Sequence, residues 1–143
     1  MKKSMKEKLY KLFKEQKFGV IATYSKNELY TNLVTFLVEE KFKKIYFPTL
    51  KNTKKYKNLS SNYIISILID NRINKPEDIK KAISISAVGK CKEIKDKDLI
   101  KKFLKKHPYL KEFVNSKNCA MIEIDVEKYI MVDNFQNINI IKF

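Results

Sequence analysis

The segment Phe47–Leu59, FPTLKNTKKYKNL, concentrates the groups in this chain best suited to gripping an anion. Four of the seven residues from Lys51 to Lys57 are lysine, and the hydroxyls of Thr49 and Thr53 stand beside them. Asn52 or Thr53 has the chemistry of a helix N-cap, with Tyr56 and Leu59 on the inner face of the helix that would follow. A phosphate dianion asks for cations, hydroxyl donors and free backbone N–H groups, and a helix N-terminus supplies the last of these. The same residues also describe a solvated basic helix in a lysine-rich protein, so both readings stand at this point.

Other reactive groups are sparse. Arg72 is the only arginine and sits in the loop Asp70-Asn71-Arg72, with Asn74 close by. It could anchor an anionic ligand or pair with Asp70, Glu77 or Asp78 in the loop. His107, the only histidine, precedes Pro108, which is ordinary chemistry for the end of one helix and the start of another. Cys91 and Cys119 have neither a metal-binding spacing nor that of a disulfide framework, and read as reduced thiols in a cytoplasmic protein. Glu123 and Asp125 read as solvated residues on a strand. No metal site is expected, and no residue stands out in the sequence as a catalytic acid or base.

A chain of 143 residues fits one domain. With 44% hydrophobic and 33% charged residues and only 2 Gly and 3 Pro, it can bury a core and is not a disordered or collagenous chain. No apolar run spans a bilayer, and the basic opening MKKSMKEKLYKLFKEQK lacks the uninterrupted apolar core of a signal peptide. The formal net charge is +15, yet 30 of the 31 basic residues are lysine. Dedicated nucleic-acid readers favour Arg for its bidentate fork. Abundant Lys, Ile and Asn together point to an AT-rich coding sequence, and a nucleic-acid partner is not expected.

The elements that must position these groups follow from periodicity. Residues 3–16 read as an amphipathic helix with Met5, Leu9, Leu12 and Phe13 on one face. Strands are expected at 18–24, 30–38 and 45–47, the last stopped by Pro48. Further strands are expected at 63–69, 82–94, 119–132 and 135–141, with Gly89 marking a bend or bulge. Pro76 could open one helical turn. A helix pair is expected at about 96–115, its second member starting near Pro108. Short turns between neighbouring strands imply an antiparallel sheet, and this many strands with little helix imply a closed or partly closed barrel.

Three blocks, in this order and spacing, carry a resemblance. They are LYKLFKEQKFGVIATYSKNELYTNLVTF, FPTLKNTKKYKNLSSNYIISILIDNR and ISISAVGKCKEI, with the closing YIMVDNF also in keeping. The sequence resembles the short form of the flavin-binding split-barrel proteins related to pyridoxamine 5'-phosphate oxidase, from Leu9 to about Ile140. The resemblance implies a mainly β fold: a six-stranded antiparallel split barrel of Greek-key type with short helices, filling residues 1–143 as one domain. It implies flavin mononucleotide (FMN) as cofactor and a homodimer, because a barrel this small fills its own interior and leaves the ring in a groove between subunits.

Position by position, the resemblance implies that Thr53, Lys54 and Lys55 grip the phosphate. Pro48 and Thr49 would lie along the flavin. Asn32, Val34 and Phe36, on one face by alternation, would edge the ring, and Ser84 and Ser86 would reach it from the other subunit. Lys54 stands where larger family members prefer Arg. Arg72 and Phe135 are candidate substrate contacts. The implied activity is oxidoreduction of a small molecule by hydride or electron transfer through the flavin. Efficient pyridoxamine 5'-phosphate oxidation is not expected, since DVEKYIMVDNFQNINIIKF contains neither Arg nor His to hold a second phosphate. The alternatives are a deazaflavin- or haem-binding variant of the fold, or a non-catalytic basic module binding nucleic acid or storing or sensing flavin.

Overall fold

A computed structural model describes residues 2–143. Helix α1 (Lys3–Glu15) turns Leu9, Leu12 and Phe13 inward, as its apolar spacing dictates. Eight strands follow: β1 (Phe18–Ser25), β2 (Glu28–Thr35), β3 (Leu37–Val38), β4 (Lys44–Leu50), β5 (Ile64–Asp70), β6 (Ser84–Ile94), β7 (Cys119–Asp133) and β8 (Asn137–Lys142). Between them lie α2 (Lys54–Ser61), α3 (Asp78–Lys81), α4 (Lys97–Lys106), the 3-10 turn Pro108–Leu110 and α5 (Lys111–Val114).

All pairings are antiparallel, in the order β2-β1-β5-β6-β7-β4-β3, with β8 added to β7. The path starts on β2 and ends on β3, and only Phe36 separates the two in the chain. The sheet therefore curls back on itself. The sheet has eight strands where six were expected of the split barrel, because Phe36 interrupts one strand into β2 and β3 and the closing segment adds β8 to β7. Its interior is filled by Ile21, Phe36, Phe47, Ile67, Ile85, Ile124 and Tyr129, all fully buried. The Phe13 ring of α1 plugs one opening, packing against Phe36, Phe42 and Tyr129 at centroid distances of 5.7–6.5 Å.

Strand β4 does not stop at Pro48. Lys43 accepts from Val126 N and Lys44 accepts from Glu39 N, so odd-numbered residues of β4 bond β7 and even-numbered ones face β3. Beyond Tyr46, β3 has ended, and the N–H that Pro48 lacks would point to that unpaired side. The expected bulge is present between Val88 and Gly89, where a Cβ on Gly89 would overlap the Asp125 carbonyl. Strand β8 begins two residues later than alternation suggested. Asn134 and Phe135 adopt positive φ (44° and 77°) in the β7–β8 turn, so Phe135 is a turn residue.

Glu123 is not solvated. Helices α4 and α5 cover the outer face of β4 and β7 with Leu99, Phe103 and Val114, burying Tyr46, Met121 and Glu123 beneath them. Glu123 is balanced by Lys44 at 3.2 Å and Lys92 at 3.6 Å. Asp125, two residues on, is exposed as expected.

The rest of the outer face is open. Register aligns Leu33, Val20, Leu68, Ser86, Ile130 and Ile140 in one row across six strands. Leu33 is 66% and Ile140 56% exposed. The sheet is thus apolar on both sides over this stretch, which is why β5 reads as a run without alternation.

Candidate functional site

Helix α2 begins where the sequence places its cap. Thr53 Oγ1 accepts from Tyr56 N at 3.3 Å and donates to Leu50 O at 2.7 Å. The buried hydroxyl of Thr49 lies 3.3 Å from that oxygen. Asn58 Nδ2 donates to the Thr23 hydroxyl at 3.1 Å within the core, and Leu59 packs beside it. Together these contacts fix α2 against β1 and aim its first turn along the end of β4.

The four lysines of the segment are now distinguishable. Lys51 pairs with Glu93 at 3.7 Å, and Glu93 also accepts from the Tyr56 hydroxyl at 2.8 Å. Lys57 is exposed. Lys54 is exposed and lies over the Tyr30 ring at 5.3 Å. Lys51 and Lys55 are both partly buried, but Lys55 has no carboxylate in ion-pair range among the described residues, and burial holds its ammonium below the usual lysine value.

Lys55 lines a groove of about 190 Å³ bounded by Phe18, Leu33, Thr35, Pro48, Leu110 and Phe113. The groove is apolar apart from this one cation and the Thr35 hydroxyl. It opens at the end of the sheet where β1 starts and β2 finishes, continuous with the exposed row through Leu33.

The strand expected to edge a ring presents its other face. Val34 and Phe36 point into the barrel. Phe36 is sealed there and Val34 contributes only part of the groove wall, while Asn32 is exposed outside it. The bulky apolar residues of that parity fill the core, so Leu33 and Thr35 meet the groove in their place. Ser84 and Ser86 are half-buried on the open outer face and do not line the groove.

Arg72 is held by its own loop. Its Nε lies 3.2 Å from Asp70 Oδ1, which also accepts Arg72 N. The Asp78 carboxylate accepts from the N–H groups of Ile73, Asn74 and Lys75, which holds it below the usual carboxylate range. Phe135 is exposed at the tip of the β7–β8 turn, at the same end of the sheet as Asp70 and Ser84.

His107 caps α4, as expected, but it is also fully buried. Its Nε2 lies 2.9 Å from Phe36 O and its Nδ1 3.1 Å from the Tyr109 hydroxyl. Nothing in the local sequence HPYL signals that contact with a residue 71 positions away. Both thiols are free and half-buried; burial raises Cys91 to about 11 and also raises Cys119. No helix is long and apolar enough to cross a membrane, and no cluster of three metal-ligating side chains occurs among the described residues.

A family profile described as pyridoxamine 5'-phosphate oxidase matches residues 5–133. Curated proteins give no match. Among solved structures, general stress protein 26 from Bacillus anthracis superposes with a TM-score of 0.77 at 20% identity, covering 97% of this chain and 98% of that one. A Clostridium acetobutylicum protein related to general stress protein 26, of the pyridoxinephosphate oxidase family, gives 0.78 at 14% identity, covering 100% and 97%. A heme-binding protein from Mycobacterium smegmatis gives 0.84 at 12% identity; this chain is covered to 99% and spans 59% of that one. At these identities the structural likenesses show the fold.

Proposed function

The chain belongs to the pyridoxamine 5'-phosphate oxidase family, and from that premise we propose that it is an FMN-binding flavoprotein acting as a homodimeric oxidoreductase on a small molecule. The observation that carries this reading is Lys55, a partly buried ammonium without a carboxylate, at the first turn of α2 and at the wall of an apolar groove. A cation so placed fits an anionic group, and the apolar walls beside it fit the face of an aromatic ring. Lys55 and the first-turn N–H groups of α2 would hold the phosphate. Thr53, whose hydroxyl is engaged in capping, fixes the helix start, and Lys54 contributes charge from the exposed side. Leu33, Thr35 and Pro48 would flank the ring. When bound, FMN supplies the hydride or electron transfer.

The homodimer rests on two features. The groove is too small for FMN, so a second surface must complete it. The outer row from Leu33 to Ile140 is a broad apolar patch of the kind that marks an interface. Ser84, Ser86 and Phe135 lie on or beside that face and would meet the ring or substrate from the partner. The apolar groove suits a flat, weakly charged substrate. Two free thiols are in keeping with the cytoplasm.

Haem has less support in this chain. Its one histidine has both ring nitrogens engaged, by Phe36 O and the Tyr109 hydroxyl, and is withdrawn from any groove.

The test is the visible spectrum of the purified protein, with the released cofactor identified by mass, followed by titration of stripped protein with FMN. Flavin absorption and stoichiometric FMN uptake are expected. A colourless protein that takes up no flavin would overturn the reading, and salt-sensitive nucleic-acid binding in its place would favour the basic-module alternative.

A further inference from the structure

We propose that the cavity between α1, α4 and the turn after β3 is a second ligand site, taking a small amphipathic monoanion: a carboxylate carried on an apolar body. The cavity has a volume of about 330 Å³ and a floor of Phe13, Val38 and Phe42. It shares no lining residue with the groove at Lys55. Its volume lies at the small end of ligand pockets, which run from about 300 to 1,000 Å³, and so fits a single ring or a short chain.

The charges around the floor set the class of ligand. Lys14 approaches from α1, and Lys102, Lys105 and Lys106 from α4. None of the four makes an ion pair among the described residues. Lys106 is not a solvated surface group. Its stem is largely buried, its Nζ donates to Phe13 O at 2.9 Å, and it sits 4.0 Å from the centre of the Phe36 ring. One backbone carbonyl occupies only one of its three donors. Burial, with Lys17 adding to it, pushes its pKa down to about 8. A cation drawn out of water beside other cations is stabilised by an anion.

Glu39 and Glu40, in the turn after β3, also line the cavity. They repel a dianion and orient a monoanion with its head toward α4. The apolar floor then takes the body of the ligand, which a bare inorganic ion would leave unfilled.

The test is calorimetric titration of the full chain, with FMN present, using 4-phenylbutyrate and its neutral analogue 4-phenylbutanol. Saturable binding of the carboxylate is expected, at least about tenfold tighter than the alcohol. Lys106→Met should weaken it by at least about tenfold while leaving FMN affinity unchanged. Lys106 also touches Phe13 O, so Lys14→Ala/Lys102→Ala is the second variant; it keeps that contact and should weaken the carboxylate severalfold. The proposal is overturned by absence of saturable binding at millimolar carboxylate, by equal affinity for acid and alcohol, or by wild-type affinity in a folded variant. Displacement of the probe by FMN would put it in the other groove and overturn the proposal as well.

Discussion

Replacing Lys55 by alanine tests the proposed phosphate grip directly. Lys55 is the one lysine of its segment that is drawn into the groove, without a carboxylate partner. A hydrogen bond to a charged group contributes about 1.5–3 kcal/mol, and each 1.4 kcal/mol is a factor of ten in affinity. Lys55→Ala should therefore weaken FMN about 10- to 150-fold. Riboflavin, which lacks the phosphate, should change by no more than about twofold. Lys54, exposed beside Tyr30, acts through water, where an ion pair contributes about 0–1 kcal/mol. Lys54→Ala should cost FMN less than about fivefold and should lose its effect at high salt, while the Lys55 effect persists. Flavin fluorescence titrations of stripped protein, at two salt concentrations, read all of these. Equal losses for FMN and riboflavin in Lys55→Ala would show that the residue only supports the fold. A larger loss in Lys54→Ala than in Lys55→Ala would refute the ranking by burial.

Three further outcomes are expected. Tyr129→Phe leaves the buried Phe42 carbonyl without the hydroxyl that now donates to it at 2.5 Å, so it should cost about 1–3 kcal/mol and lower the Tm by about 3–10 °C. An unchanged melting curve would contradict that hydrogen bond. Burial, helped by Lys106 and Lys17, holds the His107 imidazole below its ordinary value even though the bond to Phe36 O opposes the shift. The unfolded chain then takes the proton first, so stability should be full above about pH 6.5 and decline as pH falls toward the lower folded-state pKa. Denaturant unfolding across that range reads the slope, and His107→Gln should flatten it. Ile140→Asp puts a charge in the exposed apolar row and should give a monomer by light scattering with weakened FMN binding; a variant that stays dimeric and holds FMN normally would remove that face from the interface.

Most of the fold is legible because its signals are local. The spacing of Leu9, Leu12 and Phe13, the cap at Thr53, the bulge at Gly89 and the alternation of β7 each depend on a few neighbouring residues. The differences arise where a distant element decides. Pro48 continues β4 because β3 stops opposite Tyr46, and Glu123 is buried because α4 and α5 close over β7. The contact of His107 with Phe36 joins two segments that share no pattern.

The candidate site was legible as a segment, while which of its residues line the groove was not, and periodicity explains the difference. On β2, alternation correctly separates Asn32, Val34 and Phe36 from Leu33 and Thr35, yet both sets contain apolar residues. Only the closed barrel shows which set fills the core. On α2, Lys54 and Lys55 are equivalent as letters, but successive helical residues point about 100° apart. Once Asn58 is bonded to Thr23 and Leu59 is packed in the core, the rotation of α2 is fixed: one lysine faces water and the other the groove. The buried face of the helix therefore selects which lysine faces the groove, the one proposed to hold the phosphate. Disturbing that face, as in Asn58→Ala, should weaken FMN binding without removing any charge.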